Sequence, residues 1–196
     1  MIKNFDGTII CASKYFSPEQ LRIIYQKGYH DFGENRVQVM LDKVEALNDL
    51  DITWHFIGHL QSNKVKDIIN HIDYLHTLDR LSVAKEIQKY RTGKIKCLIQ
   101  LNLTEEPQKS GIYIDKLDQF LLEIKKYDKI ELVGFMTMGK DQDEVETEEA
   151  FKKMYQLSIK YHLPLLSMGM TEDYQLAIKH HATHLRIGRK FYELLD

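Results

Sequence analysis

The sequence has few of the residues that cross-link or interrupt a chain. Among 196 residues there are only 2 cysteines, Cys11 and Cys97, each inside an apolar run. This excludes a disulfide framework and indicates small buried side chains in a reducing compartment. Only 3 prolines and 10 glycines occur, and no stretch has the composition of a flexible linker. We therefore expect a single domain over residues 1–196.

Charge of one sign and long apolar runs are also scarce. The 27 Lys+Arg are offset by 29 Asp+Glu, which leaves no basic excess to neutralise nucleic-acid phosphates. Apolar runs are far shorter than the roughly 20 residues that span a bilayer, and the first residues lack the layout of a signal peptide. With 43% hydrophobic residues, the chain has ample material for a core. These features predict a cytoplasmic protein that binds neither nucleic acid nor membrane.

Short apolar segments alternate with amphipathic ones along the whole chain. The apolar segments are typical of parallel strands buried on both faces, and the amphipathic ones of helices. The expected strands are residues 8–12, 31–32, 53–56, 74–77, 95–102, 130–136, 163–167 and 184–187. Eight strand–helix units favour a closed α/β TIM barrel, (β/α)₈, near the minimum length of that fold. A flavodoxin-like open sheet with fewer strands is the alternative.

The first helix has clear boundary signals. Ser17 has a side chain suited to an N-cap, Pro18 occupies the first helical position, and Gln20 completes a capping box. Gly28 is placed to end the helix, because glycine readily adopts the left-handed conformation of a C-terminal cap.

Lys14 follows the first apolar strand directly. In a barrel, functional residues lie at the carboxyl ends of the strands, so we expect its amine at the floor of a pocket. Burial there would favour the neutral amine, which forms Schiff bases with aldehydes and ketones. The alternative is a lysine whose side chain extends to the rim of the barrel and stays solvated.

Glycine-containing turns follow the seventh and eighth predicted strands. In TIM barrels these two loops often bind phosphate through backbone N–H groups. Ser167 would donate its hydroxyl, Gly188 would allow close approach of the backbone, and Arg186 and Arg189 would add positive charge. Ordinary turns are the alternative explanation of the glycines. A Schiff-base lysine and a phosphate site in one pocket would suit pyridoxal phosphate.

The histidines do not form a recognisable metal site. His55 and His59 are four apart, but the residues around them predict strand and loop, so they would not share a helix face. His180, His181 and His184 lack nearby cysteine or aspartate partners and are interpreted as a solvated helix end. The acidic run 141–149 lacks the glycine of a calcium loop and is interpreted as a helix start. We expect no metal.

At these same positions the sequence resembles the pyridoxal phosphate homeostasis protein family. The most specific matching segment is the eleven-residue run Trp54-His55-Phe56-Ile57-Gly58-His59-Leu60-Gln61-Ser62-Asn63-Lys64. The other matching segments are Ala12-Ser13-Lys14, Phe32-Gly33-Glu34-Asn35, Gly134-Phe135-Met136-Thr137-Met138, Leu166-Ser167-Met168-Gly169-Met170 and Arg186-Ile187-Gly188. They occur in the family's order through nearly the whole chain.

The resemblance implies a barrel like the N-terminal domain of alanine racemases. It also implies that pyridoxal phosphate is held as an internal aldimine on Lys14. Ser167, Gly188 and the amide of Arg189 would then hold the phosphate, and Arg186 would lie toward the pyridine ring. The remaining pocket residues implied by position are Asn35 and His55.

The sequence departs from the family pattern at both ends. Members usually carry a helix before the first strand, and here only residues 1–7 precede it. The usual threonine after Arg-Ile-Gly is replaced by Arg189, which removes a hydroxyl from the implied phosphate site but keeps the backbone amide. These departures bear on the affinity for the cofactor.

Family members are regarded as carriers or regulators of intracellular pyridoxal phosphate with no firmly established catalytic activity. The resemblance therefore implies a non-catalytic binding protein, expected to be a monomer, with apo enzymes that need the cofactor as recipients. A pyridoxal-phosphate-dependent amino-acid racemase is the alternative, and aldolase-type imine chemistry on Lys14 without a cofactor is the third hypothesis.

Overall fold

The computed structural model describes residues 2 and 4–195, which form a closed barrel of eight parallel strands. The strands are β1 Thr8–Ala12, β2 Asp31–Glu34, β3 Thr53–Phe56, β4 Tyr74–Leu78, β5 Ile95–Gln100, β6 Ile130–Met136, β7 Leu165–Ser167 and β8 His184–Ile187. Each strand pairs with its neighbours in chain order, and β8 pairs with β1 to close the ring. The predicted (β/α)₈ barrel is therefore confirmed, and the open-sheet alternative is excluded.

Helices follow the strands and cover the outside of the barrel. They are α1 Pro18–Gln26, α2 Val37–Ala46, α3 Val65–Ile68, α4 Leu81–Tyr90, α5 Ile114–Ile124, α6 Glu144–Tyr161 and α7 Tyr174–Lys179. Short 3₁₀ helices occupy Ser13–Tyr15, Ser62–Lys64 and Arg189–Leu194. None of the helices in residues 2 and 4–195 combines the length and apolar character that crossing a membrane requires.

The predicted boundaries of α1 are confirmed in detail. The Ser17 hydroxyl accepts a hydrogen bond from the Gln20 amide at 3.3 Å, and the Ser17 amide donates to Gln20 Oε1 at 2.9 Å. Together these bonds satisfy two amides that the first helical turn leaves without partners. Gly28 follows the end of the helix with φ of +91°, in the left-handed region that glycine adopts without steric cost.

Two strands are shorter than the apolar pattern predicts. β5 ends at Gln100. The next residue, Leu101, still donates its backbone N–H to the Met136 carbonyl oxygen at 2.8 Å but forms only an isolated bridge, with Ile112. β7 begins at Leu165, directly after Pro164, whose ring nitrogen has no proton to donate to a strand ladder.

The apolar core lies largely between the barrel and its helices. Both cysteines, Cys11 and Cys97, belong to it with 0% exposure and are free thiols, as the sequence predicts. Burial raises the pKa of both thiols, so they remain protonated and behave as small apolar side chains.

The barrel interior is instead largely polar. Histidine rings on β3, β4 and β8 lie with centroids 5.1 to 6.3 Å apart, although β8 is a neighbour of neither β3 nor β4 in the ring. Side chains on strands that are not neighbours in the ring can meet only inside the barrel, so these three rings lie in its interior. His184, interpreted from sequence as part of a solvated helix end, is one of these interior side chains and is only 6% exposed. That interpretation was wrong because His184 opens β8, whose four residues are all buried.

Gly134 is needed where β6 approaches β7. A Cβ at this position would lie 2.0 Å from the Leu165 carbonyl oxygen, which is a backbone atom that cannot move without disturbing the strand pairing. We expect Gly134→Ala to lower the free energy of unfolding by about 3 kcal/mol, as overpacking does in a tight interior. Urea denaturation measures this effect. Gly93→Ala is the matched control, since no atom lies within 4 Å of the added methyl group, and equal stability of the two variants would contradict the account.

Candidate cofactor pocket

A cavity of about 310 Å³ opens at the carboxyl ends of the barrel strands. Its walls contain five of the residues singled out from the sequence: Lys14, Asn35, Arg186, Gly188 and Arg189. These residues come from three places along the chain, and strand order in the barrel makes them neighbours because β8 pairs with β1 and β1 with β2. The volume is at the lower end of the range of ordinary small-molecule sites, about 300 to 1,000 Å³.

Lys14 lies in the pocket wall but is not buried. It occupies the 3₁₀ turn directly after β1 and is exposed, with Nζ 4.7 Å from the centroid of the Tyr15 ring. Such a position over an aromatic face is favourable for an ammonium group. The expectation of a desolvated amine at the pocket floor therefore differs from the structure, because Lys14 lies in the exposed turn after β1 and not in the buried strand. Lys14 thus lines the cavity and is also exposed to solvent.

A buried charge network lies behind this turn. Lys43 Nζ on α2 donates to Glu34 Oε2 and to the Ser13 carbonyl oxygen, both at 2.7 Å. The Ser13 hydroxyl donates to the same Glu34 oxygen at 3.0 Å. The other carboxylate oxygen, Glu34 Oε1, accepts from the backbone N–H of Asn35 at 2.8 Å. The side chains of Lys43 and Glu34 are 7% and 1% exposed. One carboxylate thus links the Ser13 side chain, next to Lys14, to the Asn35 backbone, and both Lys14 and Asn35 line the pocket.

Arg186 provides the buried positive charge of the site. It is 4% exposed, yet it reaches the cavity wall. Its guanidinium donates to Ser167 Oγ at 2.8 Å and to the Thr137 carbonyl oxygen at 2.9 Å. Burial lowers the pKa of Arg186 to about 10, partly opposed by Asp173. A group with this pKa stays protonated at neutral pH, so the pocket floor remains cationic.

Gly188 and Arg189 form the wall where β8 ends. A Cβ added to Gly188 would lie 3.6 Å from Tyr15 and 3.8 Å from Ala12, at ordinary contact distance from two other wall residues. Glycine therefore keeps the space beside its backbone free for a ligand. The Arg189 guanidinium pairs with Glu172, and both side chains are mostly exposed, so the arginine points across the mouth of the cavity toward a carboxylate.

Ser167 and His55 do not line the pocket, which corrects the sequence expectation. Both are 0% exposed, and their side chains meet in the barrel interior through His76. The physical reason is that both belong to strands. Inward-facing strand residues of a parallel barrel pack into its centre, whereas the pocket is built from the loops that follow.

The structure adds residues that the sequence reasoning missed. Thr171, four positions after Ser167, brings a hydroxyl to the cavity wall, and Tyr15 covers one side of it. The position of Thr171 could have identified it, because it lies in the loop after β7, where functional residues of a parallel barrel are expected. Lys43 could also have been identified, since a lysine between Met40 and Leu47 on the buried face of α2 needs a charged partner. Within residues 2 and 4–195, no group of three His, Cys, Asp or Glu side chains is arranged to hold a metal ion.

Fold and pocket together define a parallel barrel with a cationic small-molecule site at the carboxyl ends of its strands. Residues 16–195 match the family model described as "Alanine racemase, N-terminal domain". The chain is 37% identical to the pyridoxal phosphate homeostasis protein of Aquifex aeolicus over 190 residues, covering 92% of this chain and 83% of the relative. The protein of the same name from Haemophilus influenzae is 38% identical over 197 residues, covering 94% and 83%. The chain belongs to the pyridoxal phosphate homeostasis protein family.

Solved structures agree with this assignment. PipY of Synechococcus elongatus PCC7942, solved with PLP (pyridoxal phosphate) bound, is 28% identical with a TM-score of 0.89, covering 98% of this chain and 94% of PipY. Alanine racemase of Corynebacterium glutamicum is 16% identical with a TM-score of 0.73 and shares the fold. The match covers 95% of this chain but 55% of the racemase.

The buried Lys43–Glu34 pair is expected to be needed for stability. Lys43→Met leaves the Glu34 carboxylate buried without its cation, which typically costs about 3–5 kcal/mol. We expect a loss of that size in chemical denaturation, and partial recovery in the double variant Lys43→Met/Glu34→Met, which removes both charges. Arg22→Met is the control, because it breaks the exposed pair with Asp49 and is expected to cost much less. Comparable losses in the two single variants would contradict this.

Proposed function

We propose that the protein binds pyridoxal phosphate in the pocket beside Lys14 and serves as an intracellular carrier of the cofactor in the cytoplasm. The supporting observation is that one cavity of about 310 Å³ brings together an accessible amine, a buried guanidinium and an unobstructed glycine backbone. The aldehyde of the cofactor suits the amine of Lys14, and its ring suits the guanidinium of Arg186. Its phosphate suits the free backbone at Gly188. When bound, it supplies an electron-withdrawing ring.

Each wall residue then has a role that its chemistry suits. Lys14 would hold the aldehyde through its amine, and Arg186 would donate toward the ring. The phosphate would be bound by the backbone at Gly188 and Arg189 and by the hydroxyl of Thr171. Asn35, whose backbone N–H donates to Glu34, lies in the wall with Lys14.

The exposure of Lys14 favours a carrier over a closed active site. Amines of other molecules reach a solvated Schiff-base position more readily than one sealed under a lid. We infer that apo enzymes requiring the cofactor are its recipients, and that the protein acts as a monomer. Sedimentation equilibrium with and without the cofactor tests the second inference, and a dimer would contradict it.

The pocket is also compatible with an amino-acid racemase, because the alanine racemases share this fold. Racemisation requires acid–base groups on both faces of the bound substrate, and Lys14 supplies one of them. An assay with several amino acids separates the two functions. We expect no saturable turnover, and robust racemisation would replace the carrier by an enzyme.

Lys14→Ala is the direct test of the binding function. We expect the variant to lose covalent attachment and the visible absorption of the bound cofactor while keeping its circular dichroism spectrum. Borohydride reduction followed by peptide mass analysis locates the label. The control is Lys27→Ala, which removes an exposed amine next to α1 and should leave the labelling intact. A label on any other lysine of the wild-type protein would refute the assignment, and an unlabelled wild type with no spectral change would refute the function.

Arg189→Thr tests how the charge at the pocket mouth contributes. Since the guanidinium is paired with Glu172 and solvated, and since the backbone amide stays, we expect the affinity for pyridoxal phosphate to change by less than tenfold, about 1.4 kcal/mol. Spectroscopic titration measures this. Glu172→Gln is the complementary variant, because it frees Arg189 and should strengthen binding. A hundredfold loss in Arg189→Thr, about 2.7 kcal/mol, would show that the side chain itself holds the phosphate.

A further inference from the structure

A continuous chain of four hydrogen bonds crosses the barrel interior and ends at the pocket. Asp31 Oδ1 lies 2.9 Å from His55 Nε2, and His55 Nδ1 lies 2.9 Å from His76 Nε2. His76 Nδ1 lies 2.8 Å from Ser167 Oγ, which accepts from Arg186 at 2.8 Å. We call these five residues the core chain. It begins at the first residue of β2 and ends at the guanidinium in the cavity floor.

The two ends of the core chain fix the direction of its protons. The Arg186 guanidinium only donates, and the Asp31 carboxylate only accepts. If both histidines are neutral, every bond in between is satisfied by one arrangement. Ser167 donates to His76, His76 donates to His55, and His55 donates to Asp31.

Burial favours this neutral arrangement. His76 is fully buried, and burial together with the neighbouring His55, Arg186 and His184 holds the pKa of His76 well below its usual value. In the reverse arrangement, His76 would donate to Ser167 and His55 would donate to His76. Because His55 must also donate to Asp31, it would then be an imidazolium, although it is 0% exposed. That would place a second cation in an interior that already holds a buried guanidinium.

We propose that Asp31, His55, His76 and Ser167 are positioning residues that orient the Arg186 guanidinium at the pocket floor through the core chain. The role of Arg186 toward pyridoxal phosphate rests on the proposed function. The orientation itself belongs to the protein without the cofactor. Ser167 presents its oxygen to the arginine and its proton to the interior, which leaves phosphate binding to the loop residues above it.

The core chain and the Thr137 carbonyl together determine where Arg186 points. The two bonds come from different nitrogen atoms of the guanidinium, Nη1 to Ser167 and Nη2 to Thr137, so they fix both the position and the plane of the group. Loss of the Ser167 contact leaves the bond to the Thr137 carbonyl, which fixes one nitrogen of the group but not its plane.

The first test measures the tautomers of the protein without cofactor. Nitrogen-15 NMR of the histidine side chains distinguishes protonated from bare ring nitrogens. We expect His55 and His76 each to carry the proton on Nε2 and to have a bare Nδ1 at pH 7. A proton on Nδ1 of His76, or an imidazolium at His55, would overturn the proposed direction of the core chain.

The second test breaks the core chain far from the pocket. We expect His76→Leu to raise the exchange rate of the Arg186 guanidinium protons at least tenfold, with the signals assigned through their loss in Arg186→Lys. His184→Leu is the matched control, since His184 is a buried interior histidine that hydrogen-bonds Thr183 instead. It should change the rate by less than twofold. Ser167→Ala, a smaller change, should act like His76→Leu and gives a reading even where the leucine variant is poorly folded.

The third test connects the core chain to the cofactor. We expect His76→Leu and Ser167→Ala to weaken pyridoxal phosphate binding at least fivefold and to shift the absorption band of the bound cofactor, with Lys14 still labelled after reduction. His184→Leu should bind within twofold of the wild type. If the wild type binds no pyridoxal phosphate, the proposed function fails and the exchange rates alone decide the positioning role. If those rates are unchanged in both variants, the positioning role is wrong whatever the cofactor does.

Discussion

The pocket depends on one buried carboxylate. Glu34 accepts hydrogen bonds from Lys43, from the Ser13 hydroxyl and from the Asn35 amide, so it joins β1, β2 and α2 at the point where the chain leaves the barrel. A buried carboxylate without partners would be expensive. Its full set of donors therefore holds the turn that carries Lys14 in one geometry.

A second polar system supports the opposite side of the cavity. The core chain occupies the space that aliphatic layers fill in many parallel barrels, and it ends on Arg186. The two systems meet the pocket from different directions, one through the backbone beside Lys14 and one through the arginine below it. The core chain lies wholly on strands, and Glu34 and Lys43 of the first system lie on β2 and α2, which gives a small site on loop residues a rigid base.

The fold and part of the site were predictable from the sequence. Alternating apolar and amphipathic segments and the capping residues of α1 are local signals, and the structure follows them. The side chains of Ser167 and His55 were misplaced because their partners lie on distant strands, and no local pattern specifies which inward residues meet. The accessibility of Lys14 depends on how the chain turns after Ala12, which is set by the contacts of Ser13 with Glu34 and Lys43.

The exposure of Lys14 has a consequence for what its side chain encounters. Such a side chain meets the solutes of the surrounding water as well as whatever occupies the cavity. Its chemical environment is therefore set partly by the composition of the solution and not by the barrel alone.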